Sequence, residues 1–352
     1  MKIETDEAIY ETFFQHAQIE ITGKCNMACK HCRALNEAKT NMPIDVIKKI
    51  LIFAKTNSND DFRLTISGGE PFIHPRIIEI MRLVKEANIE YVIITTNGSL
   101  VTDQNIIDLE SIMFKNLCIQ VSVDGVDEKF HDNFRSFKGA FNKAIDCLKK
   151  VANSKITASF RSTIVPSMID EIENIVCLAK KNGAERVGFG SVIPVGAGML
   201  NHDLIMTSSQ KKKFLENVSA CRKKYTSLDI TTEDPLKFAI PCKVWDYGVC
   251  DCYSESFFGG CTAGITGFNV DSEGTITPCA TLLRPITNVV GKTIQEILSD
   301  YVSSKVIHKL IDRNFTGKCQ ECDKKRLCGG CRAVANGTNG DFLSSDTTCW
   351  YK

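Results

Sequence analysis

The chain has 352 residues, of which 43% are apolar, with 43 basic and 42 acidic side chains and a formal net charge of +1. Because the charges nearly cancel, composition favours neither nucleic acid nor a membrane surface as a partner. No apolar run approaches the roughly 20 residues that span a bilayer, and the first residues lack the apolar core of a signal peptide. We therefore expect a cytoplasmic protein with a sizeable buried core.

Short apolar runs alternate with helical patterns along the first half of the chain. The predicted strands cover 16–22, 61–67, 90–96, 116–123, 156–164 and 185–193. The predicted helices between them cover 43–55, 75–87, 102–113, 139–152 and 168–183. This repeated alternation predicts an α/β fold with a parallel sheet and helices outside, and a partial (β/α)6 TIM-like barrel fits it better than a doubly wound sheet.

The pattern changes after this predicted barrel domain, residues 1–200. A helical stretch at 208–225 lies in a predicted bridging helix and linker, residues 201–240. From 241 to 352 the sequence has short turns, many glycines and dense cysteines, with a predicted hairpin in GFNVDSEGTITPC. Because such a sequence offers little apolar core, we expect a small domain that bound metal stabilises.

Seventeen cysteines are an unusual number for a chain in a reducing compartment. There, cysteines indicate metal binding or catalysis rather than disulfides. They are also clustered, with three in residues 25–32 and eleven between 221 and 349. The cysteines between these groups, which we predict to be buried small apolar residues, are Cys118, Cys147 and Cys177.

Cys25, Cys29 and Cys32 follow the first predicted strand with the spacing C-x3-C-x2-C. A closed iron–sulfur cluster or a structural zinc site takes four protein ligands. Three thiolates would leave one iron open to another ligand. The segment GGEP follows the second predicted strand. Loops at the carboxyl ends of parallel strands gather on one rim, so we expect both segments in one site.

The cysteine motif in the first strand–helix loop, followed by GGEP, resembles the radical S-adenosylmethionine (SAM) superfamily. The resemblance implies that the amino and carboxylate groups of SAM complete the cluster. One electron from the cluster then splits SAM into methionine and a 5′-deoxyadenosyl radical, which abstracts a hydrogen atom from the substrate. It also implies a reducing partner such as flavodoxin or ferredoxin.

The resemblance assigns roles to individual residues around SAM. His31 takes the family's aromatic position, whose ring lies beside the cluster and SAM. Gly68, Gly69, Glu70 and Pro71 match the element that binds the amino group of SAM. Glycine permits a close backbone approach, and a carboxylate suits an ammonium partner.

Further residues lie where related enzymes contact the carboxylate and ribose of SAM. These are Asn97 in TTNG and Ser122 in SVDG, with Asp124 alongside. Arg161 is a candidate partner for the SAM carboxylate, and Arg135 competes for that role. Turn caps and strand-end hydrogen bonds explain Asn97, Ser122, Asp124 and Arg161 equally well.

The carboxyl-terminal cysteines resemble the SPASM extension of radical SAM enzymes, which binds two auxiliary [4Fe–4S] clusters. The resemblance assigns Cys261, Cys279 and Cys331 to the first cluster. It assigns Cys319, Cys322, Cys328 and Cys349 to the second. Paired C-x2-C segments are also typical of zinc ribbons, but the SAM motif favours iron–sulfur. The segment CGGC has two residues where three are commonest, a variant associated with cofactor-maturation members.

Two closed auxiliary clusters need one cysteine more than these seven. The resemblance places it shortly before Cys261, where Cys252 is our first candidate and Cys250 our second. Cys242 is more distant, and we interpret it as structural. The alternative is an open iron on the first auxiliary cluster, available to substrate.

A radical SAM/SPASM enzyme of this kind most often modifies a ribosomally made peptide or protein, so we expect a peptide substrate first. Only 24 residues precede Cys25, fewer than an amino-terminal peptide-recognition domain needs. Either a separate recognition protein presents the peptide, or the substrate is small. The alternatives are maturation of a small molecule or tetrapyrrole cofactor, a non-catalytic iron–sulfur electron carrier and a zinc-stapled binding module.

Overall fold

The computed structural model describes residues 1–35, 38–240 and 259–351. Strands β1 to β12 cover Lys2–Glu4, Ile9–Glu11, Phe14–Thr22, Ser58–Gly68, Tyr91–Thr96, Asn116–Ser122, Thr157–Ile164, Arg186–Ser191, Asp229–Thr232, Gly267–Val270, Thr275–Thr277 and Thr287–Asn288. Helices α1 to α10 cover Ile44–Thr56, Ile77–Glu86, Asp103–Ser111, Glu128–Arg135, Ala140–Ala152, Ile172–Lys181, Ser208–Lys224, Ile294–Val302, Lys305–Asp312 and Arg332–Asn339. The candidate ligands Cys252 and Cys250 lie outside the described residues, and so does Cys242.

One open sheet organises the molecule. Its strand order is β12-β11-β10-β3-β4-β5-β6-β7-β8-β9. Strands β3 to β9 are parallel neighbours, and helices connect most of them, so the predicted parallel α/β architecture is confirmed. Strand β9 extends the parallel series beyond the six strands predicted from the sequence.

Alternation along the strands separates the two faces of this sheet. On β3, Ala17, Ile19 and Ile21 are each at most 1% exposed and join the main apolar core. Gln18 and Glu20, on the opposite face, are polar. A fully buried isoleucine contributes about 1.5–3 kcal/mol relative to an exposed one, so each strand is strongly fixed in register.

The carboxyl-terminal region shares this sheet. Strand β10 pairs in parallel with β3, with Gly267 opposite His16 and Val270 opposite Ile19. A Cβ on Gly267 would lie 2.1 Å from Nε2 of His16, so only glycine fits against that ring. The predicted hairpin is confirmed as the antiparallel pair β10–β11. The predicted domain boundary at residue 241 lies outside the residues that the structure describes.

Two of the three isolated cysteines are buried as predicted. Cys118 and Cys147 are each 2% exposed. The prediction was wrong for Cys177, which is exposed. Helix α6 turns its buried face, including Ile175 and Val176, toward the core, and Cys177 lies off that face with Sγ 3.3 Å from the Tyr225 hydroxyl.

Among the helices that the structure describes, none has the length and apolar character needed to cross a membrane.

Candidate active site

The loop that carries the first three cysteines packs directly against the turn after β4. The Gly69 amide donates to the Thr22 carbonyl at 2.8 Å, and the Glu70 amide donates to the Lys24 carbonyl at 2.8 Å. A Cβ on Gly69 would lie 2.2 Å from the Lys24 oxygen, and Gly68 has a φ of +138°. Both glycines are therefore required for this close approach, because a side chain would separate the two segments.

The three thiols of this loop are partly buried. The Cys32 amide donates to the Cys29 carbonyl at 3.1 Å, which forms a tight turn between these two cysteines. Burial raises the pKa of Cys29 to about 11 and also raises the pKa of Cys25. The free thiols of Cys25 and Cys29 are thus protonated at neutral pH, and the binding of iron would displace their protons.

Glu70 is fully buried and joins the ends of β4 and β5. One carboxylate oxygen accepts from the Thr96 hydroxyl at 2.7 Å, and the other accepts from the Asn97 amide at 2.7 Å. Burial raises the pKa of Glu70, although these hydrogen bonds oppose the shift. The carboxylate is therefore engaged by donors of the chain itself, and it fixes the position of Asn97.

Asn97 belongs to a closed hydrogen-bond triangle with Asn26 and Ser99. Its Nδ2 donates to Oδ1 of Asn26 at 2.9 Å, and its Oδ1 accepts from the Ser99 hydroxyl at 2.6 Å. Nδ2 of Asn26 donates to the Ser99 hydroxyl oxygen at 2.8 Å. Asn26 and Ser99 were missed from the sequence, although one lies inside the cysteine motif and the other in the NGS turn.

Asp124 forms a buried ion pair with Arg135. Nη2 of Arg135 lies 2.6 Å from Oδ2 of Asp124, and the Thr163 amide donates to Oδ1 at 2.7 Å. Burial alone would raise the pKa of Asp124, but Arg135 and two neighbouring histidines outweigh it and lower the pKa. Ser122 is the last residue of β6 and precedes Asp124 by two positions in the sequence.

His31 stacks on Phe134 of α4, with ring centroids 4.4 Å apart and an interplanar angle of 9°. Burial lowers the pKa of His31 to about 4, so its imidazole is neutral at neutral pH. Its Nδ1 is buried without a hydrogen-bond partner in the protein. Helix α4, which also carries Arg135, therefore packs against the imidazole ring of His31.

Arg161 lies on β7, directly opposite Ser122 in the register of β6 and β7. Its Nη1 donates to the Phe189 carbonyl at 3.4 Å. A Cβ on Gly190 would lie 2.7 Å from Nη2, and one on Gly188 would lie 3.2 Å from Nη1. The two glycines of β8 thus provide the space that the guanidinium occupies.

Four cysteines of the carboxyl-terminal region line one cavity, and they are Cys319, Cys322, Cys328 and Cys349. The Gly330 amide donates to Sγ of Cys328 at 3.3 Å. Burial raises the pKa of Cys349 to about 11, and Asp346, Cys319 and Cys322 contribute to the same shift. The structure therefore brings the predicted second set of cysteines together.

The predicted first set also lies together. Burial raises the pKa of Cys331 well above its usual value, with Asp346, Cys261 and Cys279 contributing to the shift. The Leu282 amide donates to Sγ of Cys279 at 3.2 Å. The Cys261 amide donates to the Cys328 carbonyl at 2.9 Å, so the two sets are adjacent.

Single metal ions and cubane clusters arrange their thiolate ligands differently. In residues 1–35, 38–240 and 259–351, no three Cys, His, Asp or Glu side chains converge as the ligands of one ion do. Thiolates on zinc all lie about 2.3 Å from the same ion. The thiolates of a cubane cluster bind different irons and lie farther apart, around a cavity that the cluster fills.

The comparison with protein families identifies the barrel. Residues 19–179 match the model of the radical SAM superfamily. The chain contains a radical SAM domain. It is accordingly an enzyme that uses SAM and a SAM-binding iron–sulfur cluster, and the resemblance seen in the cysteine motif and GGEP is confirmed.

Relatives of this radical SAM enzyme cover nearly the whole chain. An AdoMet-dependent heme synthase from Methanosarcina barkeri is 28% identical over 352 residues, which cover 95% of each chain. The antilisterial bacteriocin subtilosin biosynthesis protein AlbA from Bacillus subtilis is 25% identical over 347 residues, covering 96% of this chain and 71% of AlbA. The crystal structure of Streptococcus suis SuiB bound to S-adenosylmethionine has a TM-score of 0.73 at 20% identity, covering 97% of this chain and 78% of SuiB. The last comparison supports the open-barrel fold.

Proposed function

We propose that the protein cleaves SAM reductively at a cluster held by Cys25, Cys29 and Cys32 and abstracts a hydrogen atom from a substrate at the barrel mouth. The observation that carries the proposal is the pair of backbone hydrogen bonds from Gly69 and Glu70 to the cluster loop. When bound, the cluster and SAM supply a 5′-deoxyadenosyl radical. A donor such as flavodoxin or ferredoxin would supply the electron.

Arg161 is the better candidate for the SAM carboxylate. The guanidinium of Arg135 is committed to Asp124, at 2.6 Å. Within the described part of the chain, no acidic side chain forms an ion pair with Arg161, which donates to the Phe189 carbonyl. A guanidinium with an available fork binds a carboxylate through two parallel hydrogen bonds. Asp124 then acts by holding Arg135 beside the cysteine loop.

The remaining predicted contacts have distinct tasks in this proposal. His31 would place its neutral ring beside SAM, since Phe134 supports the opposite side of the ring. Gly68 to Pro71 would present backbone groups to the SAM amino group, because the Glu70 carboxylate is already engaged. Asn97 and Ser122, at the ends of β5 and β6, would orient the ribose and carboxylate.

Two auxiliary clusters complete the proposed cofactor set. The two groups of thiols support them, as does the cavity that four cysteines line. Cys252, with Cys250 second, stays our candidate for the remaining ligand of the first cluster. Both fall outside the residues that the structure describes.

For the substrate, we place a tetrapyrrole first. The heme synthase matches this chain over 95% of both lengths. The two-residue spacing in CGGC independently resembles cofactor-maturation enzymes. Both observations concern this chain, whereas the expectation of a peptide came from how often related enzymes modify peptides.

A peptide substrate is the second candidate, and the match to AlbA favours it. That protein takes part in the biosynthesis of a bacteriocin, and it covers 96% of this chain. A short precursor peptide, alone or with a separate recognition protein, would then be the substrate.

The radical-initiating site is tested by replacing Cys25, Cys29 and Cys32 together with alanine. Anaerobically reconstituted protein with SAM and dithionite should then form no 5′-deoxyadenosine, because no iron is left open to SAM. The matched control replaces Cys118, Cys147 and Cys177 with alanine and should keep the activity. Undiminished 5′-deoxyadenosine from the first variant would refute the assignment.

The substrate class is tested by adding candidate substrates to the reduced wild-type enzyme with SAM. A carboxylated porphyrin should raise 5′-deoxyadenosine above the uncoupled background and should itself change in mass. Short peptides encoded beside this gene provide the comparison. Stimulation by a peptide, and by no tetrapyrrole, would restore the peptide to first place.

A further inference from the structure

One buried arginine of the carboxyl-terminal region has an unusual environment. Arg332, the first residue of α10, is 1% exposed. Its Nη1 donates to the carbonyls of Phe342, at 3.0 Å, and Ser344, at 2.7 Å. The guanidinium carbon lies 4.1 Å from the centre of the Phe315 ring. The charge is thus held in a fixed position inside the protein.

This buried cation has no carboxylate partner within the described residues. Its Nε is buried and makes no hydrogen bond in the protein. The nearby carboxylate of Asp346 is used elsewhere, since it accepts from the Cys331 amide at 2.8 Å and from the Thr348 hydroxyl at 2.6 Å. A charge removed from water is unfavourable unless an opposite charge compensates it. We therefore expect an anionic group beside the guanidinium of Arg332.

The guanidinium of Arg332 also donates to a cysteine sulfur. Nη2 of Arg332 lies 3.8 Å from Sγ of Cys319, one of the four cysteines around the cavity. Gly330 has a φ of +59°, and a Cβ there would lie 2.6 Å from Nη2. The backbone therefore leaves room for the guanidinium on the side that faces this cysteine.

We propose that Arg332 is the counter-cation of the cluster at Cys319, Cys322, Cys328 and Cys349 and raises the reduction potential of that cluster. The inference rests on the second auxiliary cluster of the proposed function. A cluster with four thiolates is anionic and becomes more so when it accepts one electron. A buried cation and an N–H donor at the sulfur both favour the reduced form, the more so at low dielectric.

The test uses protein that lacks the SAM-binding cluster, with Cys25, Cys29 and Cys32 replaced by alanine. Dithionite supplies electrons in a titration followed by electron paramagnetic resonance. The wave of the second auxiliary cluster is the one that disappears in a Cys322→Ala variant. In Arg332→Met and Arg332→Gln we expect the equilibrium constant for its one-electron reduction to fall about tenfold, or about 59 mV.

Two further variants separate charge from structure. Arg332→Lys keeps the charge and should recover at least half of the shift. Arg284→Met is the matched control, because Arg284 donates to Asn336 and Gly340 near the same helix and makes no hydrogen bond to any cysteine that the structure describes. It should leave the potential unchanged.

An unshifted potential in loaded Met or Gln variants would overturn the role of Arg332, as would loss of the cluster from the Met, Gln and Lys variants alike. Loss from the Met and Gln variants with retention in the Lys variant would support it. Parent protein without iron at these four cysteines would instead contradict the proposed auxiliary cluster.

Discussion

The barrel and the end of the chain are stabilised by different means. Strands β3 to β9 and their helices share one large apolar core, which also takes in residues such as Phe268 and Tyr301 of the carboxyl-terminal half. The separate apolar cluster in that half consists of Leu282, Leu310, Ala333 and Phe342. The final segment, residues 313–351, which we call the tail, buries Arg313, Arg332 and Cys328, and the other cysteines that line its cavity are partly buried. Its fold should therefore depend on metal, whereas the barrel depends on apolar burial.

Removal of metal gives the largest expected difference between the two regions. After anaerobic chelation of iron, proteases should cut the tail first, because its apolar core is too small to replace the ligands. Strands β10 to β12 should resist longer than the tail. These strands are held to the barrel core by apolar packing, since the ring centroids of Phe268 and of Phe14 on β3 lie 4.5 Å apart. The Tyr301 hydroxyl also donates to the Gly264 carbonyl at 2.9 Å.

Limited proteolysis followed by intact-mass spectrometry measures this order of cleavage, with iron-loaded protein as the control. First cuts inside residues 44–200, with an uncut tail, would contradict the metal-dependent view of the tail.

A buried ion pair at the end of the barrel gives the next largest effect. Nζ of Lys211 lies 2.6 Å from Oδ2 of Asp234, and both side chains are less than 10% exposed. In Lys211→Ala the Asp234 charge would be left uncompensated, and we expect a loss of about 3–5 kcal/mol in the free energy of unfolding. Lys212→Ala is the matched control, since that side chain is 52% exposed and its pair with Glu216 spans 3.9 Å.

Urea denaturation of both variants, monitored by circular dichroism, makes this comparison. Equal stabilities for Lys211→Ala and Lys212→Ala would show that the buried pair does not stabilise the barrel.

The same pair predicts a pH dependence. Burial alone would lower the pKa of Lys211, but Asp234 outweighs it and raises the pKa above its usual value. A raised folded-state pKa adds stability at pH values below the unfolded-state value of about 10.4. This stability is lost as the pH rises through the folded-state value. Wild-type protein should therefore lose more unfolding free energy than Lys211→Ala above about pH 10.

More of the fold than of the candidate site could be predicted from the sequence, for a physical reason. Strand and helix patterns reflect burial on one face, and the six predicted strands all appear. Helix α4 lies outside the predicted helices, although Asp127 caps its first turn by accepting from the Phe130 amide. The resemblance to the SPASM extension, rather than periodicity, predicted which thiols of the carboxyl-terminal region group together, and the structure places the members of each set near one another.

Polar partners within the site could not be predicted in the same way. The ion pair of Asp124 with Arg135 and the triangle around Asn97 depend on how separate loops meet after folding. Periodicity carries no information about such contacts. The burial of the Glu70 carboxylate is a further example, because GGEP alone suggests an available carboxylate.

The smallest expected effects concern the cysteines outside both metal-binding groups. Cys147 is 2% exposed, and its Cβ would lie 2.9 Å from a Cβ built on Gly98. In Cys147→Ser a hydroxyl replaces a thiol at this apolar contact, and we expect a loss of about 1–3 kcal/mol in the free energy of unfolding. Cys177→Ser should change it by less than about 0.5 kcal/mol, because Cys177 is exposed and serine can keep the hydrogen bond to Tyr225. Both variants should retain the iron content of the wild type, measured on the same samples. A loss of iron in Cys177→Ser would show that an exposed thiol of the barrel contributes to metal binding, and it would remove the distinction between the two regions.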